Sequence, residues 1–262
     1  MTVCESRPPI SDDTPVWRYL SLSAVLATIK TRKLRLTRVD KFHDPFEGSV
    51  PKSQIDQQFL LLTGAASARV MMQAPPPDEE PWTRMTRLRR ARIRSAHASC
   101  WSIGEESEAL WRLYCHDDVC QGVGVAFQTT LARLKESVAV YEPRVDPITY
   151  IRYHEAPPFT DEMAHLLHKR HGFAAERELR VLHFDQDHFN SLIPKDASVP
   201  ELSEHTFFEW HPSNVIEEIV ISPYAGENYE DWVRTAITES DPTLTDRVVL
   251  SVLNERRNPA YF

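Results

Sequence analysis

Apolar positions along this chain fall mostly into short alternating runs, broken by a few stretches with helical spacing. Val16-Trp17-Arg18-Tyr19-Leu20 reads as a short strand. Leu22, Val25, Leu26 and Ile29 then follow helical spacing, with Ser21 or Ser23 placed to cap the turn. Leu34-Arg35-Leu36 predicts a second strand, and Asp44-Pro45 with Gly48 marks Val39 to Val50 as a loop. Helices are expected over Gln57 to Met72, closed by Pro75-Pro76-Pro77, and over Trp82 to Ser95. Strand patterns recur at His97 to Ser102, Gly122 to Phe127, Ile148 to Tyr153 and Leu179 to Phe184. Further strands are expected at Val215 to Ser222 and Val248 to Leu253. Ser107-Glu108 opens a helix holding Trp111, Leu113 and Tyr114, and two more helices are expected at Asp161 to Gly172 and Tyr229 to Thr238. A polar excursion runs from the end of the Leu179 strand through Val199.

Strands mixed with helices, without strict alternation, favour an α+β fold with mixed or antiparallel sheets over a doubly wound α/β sheet. One domain is expected over residues 15–262, with a helical insertion at about 51–96 and a flexible stretch at 1–14. At 262 residues the chain is long enough to bury a substantial core.

Composition narrows the function. A formal charge of −8 argues against a general nucleic-acid binder, but leaves room for a local basic surface. Nineteen prolines against seven glycines imply stiff loops, and neither a P-loop nor a Rossmann fingerprint is present. Cys4, Cys100, Cys115 and Cys120 show no CxxC spacing, so a reducing compartment is expected. The polar start, Met1 to Thr14, and the lack of a long apolar run predict a cytoplasmic protein with no membrane partner. A toxin delivered into another cell would have the same composition.

Glu176-Arg177-Glu178 stands at the mouth of the Leu179 strand. Two carboxylates two residues apart on a strand share a face and repel, which folding alone does not ask for. Arg180 follows on the same face and either serves that site or neutralises Glu178 in an ion-pair ladder. Arg18, between Trp17 and Tyr19, is either a solvent-facing edge residue or a fork for a phosphate or carboxylate. In Phe42-His43-Asp44-Pro45-Phe46-Glu47, polar groups lie between aromatics, so the loop either packs structurally or closes over a ligand, with His43 able to titrate. Ser99 or Ser102 at a strand end can orient a carboxylate, whereas Cys115-His116 matches no nucleophile signature. Trp111 and Tyr114 form either core or an aromatic wall for a flat ring.

Six arginines lie between Trp82 and Ser95, and Arg87, Arg90 and Arg94 share one face. That face is either solvated or a patch for phosphate or nucleic acid. Asp117-Asp118, Asp185-Gln186-Asp187-His188 and the scattered histidines match no zinc or calcium spacing, so no metal is expected.

Several blocks together carry a resemblance. They are Trp17-Arg18-Tyr19, Asp44-Pro45-Phe46-Glu47, Ser99-Cys100-Trp101-Ser102, and Trp111 with Tyr114. Gly122 to Phe127, then Lys169 with Glu176, Glu178 and Arg180, and finally Glu218 to Pro223 complete the order. This order, over about residues 16–225, resembles the bacterial family catalogued as domain of unknown function 2971. More distantly it is similar to the ADP-ribosyltransferase fold of the arginine–serine–glutamate class.

That second resemblance implies an NAD-consuming transferase or glycohydrolase, a toxin or phage-defence effector with NAD as substrate. It also implies a protein or nucleic-acid acceptor and a cognate antitoxin or immunity protein. Glu178 would stabilise the ribose cation, Arg18 would grip phosphate or ribose, and Ser99 or Ser102 would orient Glu178. Glu176 would help deprotonate the acceptor, and Trp111 or Tyr114 would stack on nicotinamide. Tyr19, His43, Lys169 and Arg180 would line the nucleotide. The alternative is a non-catalytic module of an abortive-infection or toxin–antitoxin type system, binding nucleotide or nucleic acid through Arg18, Lys169 and the arginine helix.

Overall fold

The computed structural model describes residues 10–72, 79–115, 122–194, 203–226 and 228–254. The proline triplet, Cys4, Cys120, His116, Asp117-Asp118, residues 1–9 and the end of the polar excursion lie outside them.

In chain order the first elements are β1 (Pro15–Leu20), α1 (Leu22–Thr31), β2 (Lys33–Arg38), α2 (Lys52–Met71) and α3 (Pro81–Arg94). Then come β3 (Ala96–Ile103), α4 (Glu108–Tyr114), β4 (Val125–Thr130), α5 (Leu131–Val138), β5 (Arg144–Pro147) and β6 (Thr149–Ile151). β7 (His168–Arg170), β8 (Glu178–Phe184), α6 (Gln186–Leu192) and β9 (His205–Glu209) follow. The last are α7 (Pro212–Val215), β10 (Glu218–Ile221), α8 (Tyr229–Ser240) and β11 (Val248–Leu250). The fold is α+β, with mostly antiparallel strands and flanking helices.

The chain divides into two compact units. The first comprises Met1–Leu34, Trp101–Glu142 and Phe208–Phe262. Its strands run in the order β11-β10-β4-β1-β3, antiparallel except for β10 and β11. Ser21, not Ser23, caps α1 by accepting from the Ala24 amide, and Arg32 ends that helix in the left-handed region at φ 52°. Trp17, Tyr19, Leu110, Trp111, Ala126 and Val220 form a core cluster. Tyr19 meets Trp111 edge-on at 4.9 Å between ring centroids. Gly124 is required here by close approach: a Cβ would lie 2.5 Å from the Leu20 carbonyl oxygen.

The second unit comprises Arg35–Cys100 and Pro143–Phe207. Its strands run β9-β2-β3-β8-β5, with β6 and β7 as a separate parallel pair. Val39, Ala96, Ala98, Ile148, Leu166 and Leu182 are buried together. α3 begins with Glu80, whose carboxylate accepts from the Thr83 amide, and with Pro81 in the first turn. α2 buries none of its twenty residues, and Phe59, Leu60, Leu61, Val70 and Met71 are all exposed.

Several expected elements differ. Asp161 to Gly172 is not a helix but a 3-10 turn at Ala164–Leu166, the strand β7, and a second 3-10 turn at His171–Glu176. Pairing with β6 and burial of Lys169 among carboxylates outweigh the helical propensity of this stretch. The polar excursion contains α6, started by Asp185 accepting from the His188 amide. The Val215 to Ser222 pattern splits between the end of α7 and β10, and the last strand stops at Leu250 before a 3-10 turn.

Candidate functional site

Two features of the second unit bear on function, a buried ion cluster and an arginine-lined groove. The cluster starts from the turn before β8. Glu176 and Glu178 do not share a strand face by alternation, as their spacing predicts. Glu176 closes a 3-10 turn, Arg177 turns the backbone at φ 45°, ψ 46°, and Glu178 is the first strand residue. A non-glycine residue in this left-handed region is uncommon, and here it brings both carboxylates onto one ammonium. Lys169, the central residue of β7, lies 2.6 Å from Oε2 of Glu176 and 3.1 Å from Oε2 of Glu178.

Arg180 donates from Nε to Oε1 of Glu178 at 2.6 Å, from Nη2 to Oε1 of Glu47 at 2.8 Å, and from Nη1 to the Leu166 carbonyl at 2.7 Å. Its side chain has no solvent exposure, and those of Glu47 and Glu178 have 3% and 4%. The Glu178 amide donates to the Tyr150 hydroxyl at 2.7 Å. Burial works to raise the Glu178 carboxyl, but Arg180, Lys169 and the Cys100 thiol outweigh it and hold the group at about 2. Burial works to lower Lys169, but Glu178, Glu176 and Glu47 raise it above its ordinary value.

Three carboxylates thus face two cations. Glu47 is pushed up, first by burial and then by Glu178, against the pull of Arg180. Its Oε2 and the Tyr153 hydroxyl are buried with no hydrogen-bond partner among the described residues. Beside this cluster, Asp44 accepts from Arg170 through both oxygens, at 2.6 and 3.2 Å, and Arg170 lies over the Phe46 ring. The Phe42 to Glu47 loop is therefore tied down by ion pairs as well as by aromatics.

Of the residues singled out from the sequence, Glu176, Glu178, Lys169 and Arg180 meet in this cluster. Ser99 is buried in β3 of the same unit, and Cys100 next to it hydrogen-bonds Glu178. His43 is exposed on the loop. Arg18, Tyr19, Ser102, Trp111 and Tyr114 belong to the first unit. There Arg18 lies 5.8 Å from the Trp101 ring centroid, and Ser102 pairs with Trp17 across the sheet. Tyr19 accepts from the Ser107 amide, and Trp111 is wholly buried and donates to Glu106. Tyr114 is about half exposed, so the expected Trp111–Tyr114 face is divided between core and surface. The sequence reading did not single out Tyr150, Tyr153 and Arg170. Their signal was faint: they sit in stretches read as a plain strand and a plain helix.

The groove is built on α3, which carries six arginines and no acid over its fourteen residues. Arg87 is committed to structure. It holds Glu79 through Nε and Nη2 and the Leu192 and Ile193 carbonyls through Nη1. Arg92 pairs with Glu162 at 2.6 Å, and Arg89, with its charge disfavoured by burial, reaches Gln58. Arg90 is exposed and makes no ion pair among the described residues. It lines a groove of about 500 Å³ together with Arg94, Thr83 and Thr86. Trp82 and Leu192 supply apolar wall. An open groove with cationic forks, hydroxyls and an indole suits a ligand that is anionic and ring-bearing.

Among the described residues no group of three or more His, Cys, Asp or Glu is arranged to hold a metal, and no helix is long and apolar enough to cross a membrane. No family model, no curated protein and no solved structure matches the chain.

Proposed function

We propose that this protein is a binding module for a phosphate-bearing ligand, a nucleotide or nucleic acid, seated on the α3 groove. The observation that carries the reading is Arg90, an exposed guanidinium with no ion-pair partner among the described residues, opening onto the same groove as Arg94 and Trp82. An arginine kept without an acid in a chain of net charge −8 is suited to an anion that arrives from outside. The test is a titration with inorganic triphosphate, ATP and an oligonucleotide at two salt concentrations. Binding is expected to weaken with salt, to weaken further in Arg90→Gln/Arg94→Gln, and to survive Glu178→Gln. Absence of binding to every one of these anions, or binding indifferent to salt, overturns the reading.

A second reading, an ADP-ribosyltransferase-like or NAD-hydrolysing effector, draws support from Glu178 alone. An anion held ionised by preset donors is what a developing ribose cation requires. Both its oxygens are already taken by Arg180 and Lys169, so substrate would have to displace the 3.1 Å Lys169 contact to reach it. Nicotinamide release from NAD that disappears in Glu178→Gln supports this reading, and no release from the wild type ends it.

A further inference from the structure

We infer that the α3 groove is a track for single-stranded nucleic acid, with a base stacked on Trp82 and phosphates on Arg90 and Arg94. The inference rests on the anion-binding reading above and names its ligand.

Three features carry it. First, the lining runs lengthwise. Thr83, Arg87, Arg90 and Arg94 recur at helical spacing on one stripe of α3. From Trp82 to Arg94 that stripe is about 18 Å long at the helical rise. Such a length matches about five stacked nucleotides at ~3.4 Å each.

Second, the chemistry is divided along the stripe. The indole of Trp82, 38% exposed, stands at the N-terminal end and the guanidinium groups at the other. A stacking platform joined to a basic groove is how proteins hold unpaired strands without reading their sequence. Thr86 adds a hydroxyl suited to phosphate or sugar oxygens, whereas the Thr83 hydroxyl donates to Glu80 at 3.1 Å.

Third, the surface is recessed. Arg87 clamps the Leu192 and Ile193 carbonyls, so the end of α6 forms a wall beside the arginines. A helix that reads a duplex must present a free convex face to the major groove. Here the arginines line a concavity, which admits a strand whose base faces are bare. Arg87, Arg89 and Arg92 hold neighbouring groups, Arg90 is exposed with no ion pair among the described residues, and Arg94 lines the groove beside it.

The experiment is fluorescence anisotropy of a labelled twelve-nucleotide single strand on the full chain, with ATP, inorganic triphosphate and a duplex of the same sequence as competitors. The strand is expected to bind at least tenfold more tightly than ATP or the duplex. Trp82→Ala should weaken it roughly 5- to 150-fold. Arg90→Gln should lower the slope of log affinity against log salt by about 0.7. Circular dichroism and a thermal melt check that each variant is folded, and Trp82→Phe, which keeps a ring, should restore much of the affinity. If ATP or the duplex competes as well as the strand, or if folded Trp82→Ala binds like wild type, the single-strand inference falls while the anion site stands. If neither triphosphate, ATP nor any oligonucleotide binds, both fall.

Discussion

Nε of Arg180 donates to Oε1 of Glu178 at 2.6 Å, with the arginine side chain wholly enclosed and the glutamate almost so. Two residues apart on β8, the pair forms the ladder that their spacing allowed as one of two readings. Removing one partner from a buried pair leaves the other as an uncompensated charge. That penalty usually exceeds what the pair itself contributes to stability.

Arg180→Ala should therefore lower unfolding free energy by about 3–5 kcal/mol. Urea denaturation measures it. The double variant Arg180→Ala/Glu178→Gln should recover part of the loss, because the stranded carboxylate is then neutral. Strict additivity of the two single changes would contradict the pairing.

Acid should destabilise the protein in two separate windows. His165 is buried, with Nε2 unpartnered, and burial followed by Arg92 lowers it from 6.5 to about 4. The unfolded chain takes up that proton first, so the contribution of His165 is present above pH 6.5 and is lost as pH falls toward 4. Glu178 is held at about 2 against an ordinary 4.5. Its contribution is present above pH 4.5 and is lost as pH falls toward 2. Each is worth about 3 kcal/mol by linkage. Stability curves of His165→Gln and Glu178→Gln should each lose one window and keep the other.

Glu47 acts in the opposite sense. Its folded value is raised, chiefly by burial, so its contribution is present below pH 4.5 and is lost as pH rises through the folded value. Glu47→Gln, an isostere of the protonated acid, should be at least as stable as wild type at pH 8. Glu47→Ala should be less stable at both pH 5 and pH 8, since it also strips Arg180 of an acceptor. Thermal melts of the three proteins at the two pH values decide this.

Gly48 has φ +71°, and a Cβ there would meet the Ile93 side chain at 2.6 Å. Gly48→Ala should cost about 1–3 kcal/mol from crowding in addition to the left-handed backbone. Ile93→Val removes one of the two crowded atoms. The double variant should therefore be more stable than the sum of the single changes, by about 0.5 kcal/mol or more in a denaturation cycle.

The mixture of strands and helices was legible because alternation at Val16 to Leu20 and His97 to Ser102, and helical spacing after Ser21, are local signals. The β7 segment was not. Met163, Ala164, Leu166 and Leu167 mimic a helical stripe, and only the parallel partner β6 and the carboxylates around Lys169 make the segment extended. The conjunction of Glu176, Glu178, Lys169 and Arg180 followed from their order. That Glu47 completes it did not, since more than a hundred residues separate Glu47 from Arg180 and no periodicity links a loop acid to a strand. The sequence reading placed Arg90 and Arg94 on one helical face with Arg87. Which arginines are spent on structure is settled by Glu79, Gln58 and Glu162, which lie outside that helix.

α2 is tied down by polar contacts in its first half, where Ser53 donates to the Ala156 carbonyl, Gln54 accepts from the Phe159 amide and Gln58 accepts from Arg89. With no side chain of its twenty residues buried, it gains little from a core, which is where most helical stability in proteins comes from. Its amides should exchange with deuterium well before those of β3 or β8. A protease added under native conditions should make its first cut there, leaving the sheet behind as the resistant fragment.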